Sequence, residues 1–510
     1  MNTKNTLSLT KRTFLVMAFL LLSTIVANAQ TVFGFQNNSG DHLWSNAENW
    51  MDSQKPTGET AIVKVYADVI IDENVDILQL EDETTCELTV QQGKKLAVRG
   101  SISWSADGDI ILEDGAQLVY DNVIPVTVQK RVKSQIRNLI SSPVVEDVMP
   151  TIENGFITDP ETGYALFTYD AQNHEFVSFK DAPFTLVNGI SYLYANALDT
   201  ILQFKGTARG SAEPVAVPLS YYASNGTLSG CNFVGNPLAC NAFVDRSFYL
   251  INEDFDALIA IPHSWDTALP PCQGIIVNAW AAGEEVQFQR ESDHFTTAGG
   301  GYLEITSAKA SEPTKVLDQA ILSYNADDDL GKFFFFRDTP VVYFTKDGKD
   351  LTILSVDSVD VQSLKFDAGE NGTYTLHFEL KDLTPNYLHL IDNMTGANIN
   401  LLTTPNYTFN ATTTDYASRF KLIFDPHYGV GEDGPSADSE AFAYYANGEI
   451  VINDVEACHG ASLQIIDMMG RVIMKRDAIN RVSTSGLAKG VYLLRLDMTD
   501  GVRTQKIVIQ

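Results

Sequence analysis

Three successive segments of the chain repeat one pattern: Val69-Ile-Ile-Asp-Glu-Asn-Val-Asp-Ile77, Leu88-Thr-Val-Gln-Gln-Gly-Lys-Lys-Leu96 and Ile110-Ile-Leu-Glu-Asp-Gly-Ala-Gln-Leu118. Each places two apolar strands around a polar turn. The turn residues Asn74, Gly93 and Gly115 lie 19 and 22 residues apart. Because a rung of that length can bury its apolar face only against neighbouring rungs, the pattern predicts a short parallel β-solenoid.

Two tryptophans precede this repeat, in Leu43-Trp-Ser-Asn-Ala-Glu-Asn-Trp50. Aromatic faces suit sugar rings, so Trp44 and Trp50 are candidates for glycan stacking, although large aromatic rings more often fill a core. The spacing is similar to the paired-Trp motif that precedes many exported β-solenoids, which favours a capping role. We therefore expect a solenoid-like region with a Trp motif over residues 30–130.

A longer duplication follows. Asn138-Leu-Ile-Ser-Ser-Pro143 aligns with Asn232-Phe-Val-Gly-Asn-Pro237, 94 residues further on. Each copy continues with a Tyr-rich strand-turn-strand and closes with a strand led by Gly189 or Gly274. The element resembles the Gly-Asn-Pro repeats of large exported surface proteins from bacteria with type IX secretion. It predicts one β-module present twice within residues 131–295, as copies 131–225 and 226–295.

The next region alternates apolar and polar residues. In Gly372–Phe378, the residues Tyr374, Leu376 and Phe378 alternate with polar ones, which is typical of a half-buried antiparallel strand. Similar alternating segments up to residue 425 resemble those of a jelly-roll-like or immunoglobulin-like sandwich, so we expect a β-sandwich over 296–425. Residues 426–440 are rich in Gly, Pro, Asp and Ser and predict a linker.

Residues 441–510 carry three motifs: Ala461-Ser-Leu-Gln-Ile-Ile-Asp-Met-Met-Gly-Arg471, Ser485-Gly-Leu-Ala-Lys-Gly-Val-Tyr492 and Lys506-Ile-Val-Ile-Gln510. Short strands separated by glycines predict a small β-sandwich. In their order the motifs resemble the Por (type IX) secretion system C-terminal sorting domain. On this resemblance the sorting-signal residues are Gly470, Arg471, Gly490, Val491, Tyr492 and Lys506.

That resemblance implies type IX secretion machinery as a partner. It also implies removal of the tail during covalent attachment to a surface glycolipid. The start of the chain agrees, because Lys11 and Arg12 precede the apolar run Phe14–Val26 and the small residues Ala27-Asn-Ala29. This is the pattern of a signal peptide over residues 1–29. No later stretch approaches the roughly 20 apolar residues of a membrane helix. We expect export across both membranes, to the outer cell surface or the medium.

Charge excludes one class of partner. The chain has 35 Lys and Arg against 65 Asp and Glu, for a net charge of −30. A field of that sign repels phosphate backbones, whereas nucleic-acid binding by counterion release needs the opposite sign. Nucleic acid is therefore excluded as a partner.

The chain has five cysteines: Cys86, Cys231, Cys240, Cys272 and Cys458. Because export passes through oxidising surroundings, where disulfides form, an odd number leaves one cysteine without a partner. Cys231 and Cys240 flank a predicted turn at Gly235-Asn-Pro237, and a disulfide there would contribute about 2–3 kcal/mol. The alternative, in which both are reduced cysteines buried in strands, is equally favoured. No Cys-x-x-Cys occurs, which argues against zinc and thioredoxin-like sites.

The search for catalytic motifs is negative. His174-Glu175 lacks a second His at helical spacing, and neither a Gly-x-Ser-x-Gly elbow nor a phosphate-binding Gly-Lys loop occurs. Asp327, Asp328 and Asp329 form an acidic turn that could bind Ca²⁺, against the plainer interpretation of a solvated turn. Trp265 and Trp280 are further glycan-stacking candidates, against a role as core aromatics.

The sequence thus predicts an all-β protein: a short parallel solenoid, tandem sandwich-like modules and a small C-terminal sorting sandwich. We expect a non-catalytic surface or secreted protein without a cofactor, acting in adhesion, interaction with an unknown extracellular ligand or a surface layer at the outer membrane. The alternative is an exported hydrolase, or a carbohydrate-binding protein, that acts on glycans or peptides. Fold alone does not choose between these two classes.

Overall fold

Over the residues that it describes, the computed structural model has 39 strands and two 3₁₀ turns, which confirms the predicted all-β class. The predicted signal peptide and the whole of the predicted linker lie outside the described residues. The described residues are 31–158, 163–222, 228–252, 257–263, 267–290, 301–324, 329–336, 338–425, 443–446, 449–452, 462–467, 471–477, 481–498 and 501–509.

Residues 31–132 form the predicted solenoid. The 3₁₀ turns Ala47–Asn49 and Met51–Ser53 follow its first strand. The strands are β1 (Val32–Phe35), β2 (Ile62–Val65), β3 (Val69–Ile71), β4 (Val75–Asp82), β5 (Leu88–Val90), β6 (Lys95–Ser103), β7 (Ile110–Leu112), β8 (Gln117–Tyr120) and β9 (Ile124–Val132).

From β2 onward, successive strands of the solenoid alternate between two parallel sheets. One sheet has the order β1-β2-β4-β6-β8, and the other contains β9-β7-β5-β3. Val69, Leu88 and Ile110 stand in register on neighbouring rungs, so each rung buries its apolar face against the next. Gly93 and Gly115 have φ of 70° and 73°, as a left-handed turn residue requires. The parallel solenoid is confirmed.

Residues 138–290 contain two sheets with the same strand order. The order β10-β13-β11-β12 in the first copy matches β16-β20-β18-β19 in the second, and both are antiparallel. The strands are β10 (Asn138–Ser141), β11 (Tyr164–Asp170), β12 (Glu175–Ser178), β13 (Ser191–Asn196), β14 (Thr200–Ala208), β15 (Val215–Pro218), β16 (Cys231–Gly235), β17 (Ala242–Val244), β18 (Phe248–Ile251), β19 (Leu258–Ile261), β20 (Gly274–Asn278) and β21 (Glu285–Arg290).

The register of the two sheets corrects the sequence alignment at the closing strand. Ser141 pairs with Ser191 in the first copy, and Gly235 pairs with Gly274 in the second. Gly274 therefore corresponds to Ser191 and not to Gly189, since Gly189 lies two residues before β13 whereas Gly274 is the first residue of β20.

Serines of one copy fill the space beside glycines of the other. A Cβ built on Gly235 would overlap Ser141, and one built on Gly274 would overlap Ser191. Two backbone hydrogen bonds also cross between the copies. The N–H of Ser141 donates to the Cys272 carbonyl at 3.1 Å, and the N–H of Gly235 donates to the Gly189 carbonyl at 3.0 Å. The copies have thus diverged at equivalent positions into a complementary contact.

We expect Gly235→Ala to lower the free energy of unfolding by about 1–3 kcal/mol, the usual range for overpacking. Urea denaturation of the purified chain measures this. Gly372→Ala is the matched control, because its added Cβ would meet only Tyr374, no closer than 3.6 Å. Combining Gly235→Ala with Ser141→Gly should recover much of the loss. A loss of unfolding free energy equal to that of the control would show that the contact between the copies accommodates the added methyl group.

The first copy is continuous with the solenoid. β14 pairs along all nine residues of β9 and so extends the second solenoid sheet. One hydrophobic core runs from the solenoid into the first copy, and Ala239 and Cys272 of the second copy contribute to it. β15, β21 and β17 form a further small sheet. The predicted boundaries at 130/131 and 225/226 stay predictions.

In the region of the predicted sandwich, which we continue to call the sandwich, residues 302–423 form one eleven-stranded sheet around a shared core. Its two halves are joined by the strand that spans Val341–Lys346, which pairs through its first three residues with one half and through its last three with the other. The strands are β22 (Tyr302–Lys309), β23 (Asp318–Ser323), β24 (Leu330–Gly331), β25 (Val341–Lys346), β26 (Lys349–Ser355), β27 (Val361–Asp367), β28 (Gly372–Lys381), β29 (His389–Asp392), β30 (Ala397–Asn400), β31 (Asn406–Ala411) and β32 (Phe420–Ile423).

The described part of the tail forms two small antiparallel sheets over one core. The strand orders are β33-β34-β37 and β36-β35-β38-β39, and both sheets contribute buried residues to the core. These strands are β33 (Ala443–Ala446), β34 (Glu449–Ile452), β35 (Ser462–Asp467), β36 (Val472–Asp477), β37 (Arg481–Ser483), β38 (Gly490–Met498) and β39 (Gly501–Ile509).

Candidate functional site

Near the end of the first sorting motif, Arg471 contacts Asp467. The backbone N–H and the Nε of Arg471 donate to the Asp467 carboxylate, at 2.9 and 2.8 Å. Gly470, between them in sequence, lies outside the described residues. In the second motif, the Tyr492 hydroxyl donates to the Ala488 carbonyl at 2.8 Å.

The three motifs lie on adjacent strands of one sheet, in the order β35-β38-β39. Gly490, Val491 and Tyr492 open β38, and Lys506 stands opposite Leu493 on β39. The three motifs therefore belong to one sheet of the tail.

The paired tryptophans of the solenoid are core residues. Trp44 and Trp50 are each 1% exposed, and their rings meet edge to face at 4.6 Å. The Trp50 Nε1 donates to the Trp44 carbonyl at 2.9 Å. Neither ring offers a free face to a sugar, so the glycan-stacking hypothesis for these two residues is wrong and they belong to the core.

A buried amide supports this Trp motif. Asn49 is fully buried and donates to the Leu43 carbonyl at 2.9 Å and to the Asp41 carboxylate at 2.6 Å. Its Oδ1 accepts from the Ser39 backbone at 2.9 Å. The Leu43 N–H, followed by the side chains of Asn49 and Asn46, holds the pKa of Asp41 well below its usual range.

Trp280 is partly buried against the sandwich core. The Lys349 ammonium lies over its ring, 4.2 Å from the centroid, in a cation–π contact that occupies one face. Trp265 lies outside the described residues. The glycan-stacking hypothesis for both stays a prediction.

The predicted disulfide is absent, since Cys231 and Cys240 are both buried thiols in the described chain. Cys231 lies in the core between the second copy and the sandwich, whereas Cys240 lies in the core of the second copy itself. They were paired wrongly because the turn between them directs their side chains toward different cores.

The acidic turn is only partly described, with Asp327 and Asp328 outside. The Asp329 carboxylate accepts from the Lys346 ammonium at 2.9 Å and from the Ser355 backbone at 2.7 Å. Within the described ranges, His, Cys, Asp and Glu side chains do not form a group of three that could hold a metal ion. Calcium binding at this turn stays a prediction.

A flat polar surface, which sequence reasoning did not single out, covers β28 and β31. We call it the polar face. It consists of three cross-strand pairs with hydrogen bonds of 2.8, 2.9 and 2.8 Å: Thr373 with Asn410, Thr375 with Thr408, and His377 with Asn406. Alternation in β28 was the available signal, since Tyr374, Leu376 and Phe378 are buried and their polar neighbours point outward.

Two carboxylates adjoin the polar face. Glu304 on β22 stands directly opposite Glu379 on β28. Burial is the main cause that raises the pKa of Glu304, and the charge of Glu379 raises it further. A hydrogen bond of 2.6 Å from the Gln319 amide acts in the opposite direction and lowers this pKa. Lys381 pairs with Glu379. An acid whose pKa is raised, beside a paired carboxylate, is an arrangement that acid–base chemistry can use.

A buried ion pair joins the two ends of the sandwich sheet. Arg419 donates from Nε and one terminal nitrogen to the two oxygens of Asp392, at 3.0 and 2.8 Å. The Tyr407 hydroxyl on β31 donates to the same carboxylate at 2.8 Å, and Arg419 donates to the Asn410 carbonyl at 2.7 Å. The guanidinium also lies 4.5 Å from the centre of the Phe409 ring.

This pair predicts a defined response to acid. Burial raises the pKa of Asp392, but hydrogen bonds from Arg419 and Tyr407 outweigh it and leave the pKa below its ordinary value. The pair's contribution is therefore complete above the unfolded-state pKa of about 3.9 and is lost as the pH falls through the folded-state value. We expect amide exchange protection in β29–β32, corrected for intrinsic rates, to hold down to about pH 5 and to fall below about pH 4. A fall that began near neutral pH would contradict this.

The tail of the chain matches a known family of domains. Residues 446–510 match the family described as Secretion system C-terminal sorting domain. With the three motifs on one sheet, this makes the chain an exported protein of the cell surface or the medium that engages the type IX secretion machinery. Among the described residues, no helix is long and apolar enough to span a membrane.

Residues 35–291, just over half of the chain, match the family described as Domain of unknown function (DUF8693), and the chain belongs to that family. The match spans the solenoid and both copies, which share cores in the structure. No curated protein matches the chain. The resemblance to Gly-Asn-Pro-repeat surface proteins stays a prediction.

Proposed function

We propose that the exported chain acts by binding, as an adhesion or surface-layer component, and that the polar face contacts its extracellular ligand. The observation that carries this proposal is the polar face itself. Its pairs present hydroxyl, amide and imidazole groups on a rigid, largely exposed surface. Because these side chains are already ordered by each other, a ligand would bind without the usual loss of side-chain entropy.

The test uses a double variant of the polar face, Thr373→Arg with Thr408→Arg. The control adds the same charge and bulk to exposed solenoid positions, Ser101→Arg with Ser103→Arg. Binding of the purified chain to glycan arrays, extracellular matrix proteins and whole cells is measured. We expect wild type and control to bind alike and the polar-face variant to lose at least about tenfold in affinity, or 1.4 kcal/mol. Absence of any binding by the wild type would overturn the proposal.

An exported hydrolase is the second candidate, motivated by Glu304 and Glu379. In this case the protein would turn over glycan or peptide substrates, and Glu304→Gln and Glu379→Gln would each abolish turnover while leaving the fold intact. Turnover that both variants retain, or no turnover across a substrate panel, would remove this candidate.

We propose further that the tail is removed within residues 426–440 and that the mature chain is attached to surface glycolipid. Deletion of residues 441–510 is expected to hold the chain in the periplasm, because the sorting motifs are lost with it. Cell fractionation with immunoblotting measures this, and mass spectrometry of the surface fraction should give a chain from Gln30 to the linker. Surface exposure of the deleted chain at the wild-type level would contradict the proposal.

A further inference from the structure

Lys332 and Asp318 meet inside the sandwich with little solvent access. Their side chains are 3% and 10% exposed. The Lys332 Nζ lies 2.6 and 2.5 Å from the two carboxylate oxygens of Asp318. Most lysine ion pairs of the described chain lie nearer the surface; Lys64 and Glu83, for example, are each 34% exposed in their side chains.

Both partners are held in place by backbone contacts. The Val342 N–H donates to Asp318 Oδ2 at 2.7 Å, and the Lys332 N–H donates to the Asp350 carbonyl at 2.9 Å. The Lys332 ammonium has one further acceptor, the Gln319 carbonyl at 3.4 Å. The amine and the carboxyl group are thus held together in one fixed hydrogen-bonded arrangement, and fixing two reactants in proximity favours reaction between them.

Burial also changes the protonation of the pair. It raises the pKa of Asp318 and lowers the pKa of Lys332, in each case against the attraction of the partner. Both changes favour a neutral carboxylic acid beside a neutral amine, which one proton transfer between the two groups produces. A neutral amine is a nucleophile, and a neutral carboxylic acid is an electrophile that it can attack.

We propose that Lys332 and Asp318 condense into a side-chain amide bond. The Nζ lone pair attacks Cγ of the Asp318 carboxylic acid, and the Val342 N–H polarises the Cγ–Oδ2 bond and stabilises the charge that develops on Oδ2. The Cγ–Oδ1 bond then breaks, and Oδ1 leaves as water with its own proton and one from nitrogen. No oxidant or co-reactant is needed, since the ion pair and the amide plus water contain the same atoms.

The bond would tie β23 to the segment after β24. Arg419 and Asp392 provide an internal comparison, because a guanidinium does not condense with a carboxylate in this way and that pair stays ionic.

Peptide mapping of the protein purified from the exporting cell tests the proposal. Trypsin cleaves an unmodified chain after Lys315, Lys332 and Arg337, giving residues 316–332 and 333–337. An amide on Lys332 blocks cleavage there. We expect a single peptide, residues 316–337, lighter by one water than its linear sequence. Residues 316–332 and 333–337 at their full sequence masses would overturn the proposal.

Two variants exclude other routes to water loss. Cyclisation of Asp318 onto its own backbone would also release water, but it would persist in Lys332→Arg and would leave cleavage at Lys332 intact in the wild type. We expect Lys332→Arg and Asp318→Ala each to restore cleavage after residue 332 and the full peptide masses. Because the digest is made on denatured protein, the result does not depend on whether a variant folds. Water loss that persists in Lys332→Arg would overturn the proposal.

Discussion

Replacing Arg419 by Met is expected to destabilise the sandwich by about 3–5 kcal/mol, since it leaves the Asp392 carboxylate buried without its cation. The same change releases the Asn410 carbonyl and the Phe409 ring from the guanidinium. Hydrogen exchange in the peptides that contain β29–β32 is the appropriate measurement, because it reports this module separately from the others. An effect of that size accelerates exchange by at least about 100-fold.

Two controls sharpen this result. Arg99→Met removes a cation that is 51% exposed and paired with Asp76, and surface pairs of this kind contribute less than about 1 kcal/mol. The double change Arg419→Met with Asp392→Leu removes both charges, so most of the lost protection should return. If the double variant were as unprotected as the single one, packing and not the unpaired charge would explain the loss.

Asn236→Ala is expected to destabilise the second copy by several kcal/mol. The Asn236 side chain is fully buried and donates to the Cys240 and Leu269 carbonyls at 2.8 and 2.9 Å, while its Oδ1 accepts from the Leu238 N–H at 2.9 Å. Its removal takes a hydrogen bond from three buried backbone groups, of which the Leu269 carbonyl keeps a second donor, the Ala242 N–H at 3.0 Å. A buried group left unsatisfied costs about 1–3 kcal/mol. Exchange of the amides in β16, β17 and β20 measures the loss.

Asn236→Asp tests whether the lost donors explain this effect. The variant has nearly the same volume but cannot donate to the two carbonyls, so we expect it to lose as much protection as Asn236→Ala. Asn393→Ala is the control, because Asn393 is exposed and its side chain makes a single long hydrogen bond of 3.4 Å. Near-wild-type protection in Asn236→Asp would show that side-chain volume matters more than the hydrogen bonds.

Most of the fold follows from local patterns. The solenoid could be predicted because each rung repeats the same apolar positions, and the duplication because Asn138–Pro143 and Asn232–Pro237 are similar. The closing strands cannot be aligned on their nearby glycines, because Gly189 precedes β13 by two residues whereas Gly274 is the first residue of β20. Local similarity also suggested a structural turn at Asn236 but did not reveal its three hydrogen bonds.

Pairs distant in sequence could not be predicted in the same way. Asp392 and Arg419 lie 27 residues apart. Because the chain has 65 acidic residues, spacing in the sequence does not show which carboxylate pairs with Arg419. The polar face depends on the register between β28 and β31, which is set by pairing across the sheet. The cysteine prediction failed for a related reason, since proximity in sequence does not determine which core a side chain enters.

The Ser and Gly contacts between the copies limit how the gene can be truncated. A shortened chain that ended near residue 225 would uncover Ser141 and Ser191 and would also remove Ala239 and Cys272 from the solenoid core. Such a product should be prone to precipitation and protease attack. Recombinant pieces intended for ligand screening or crystallisation should therefore keep residues 35–291 together.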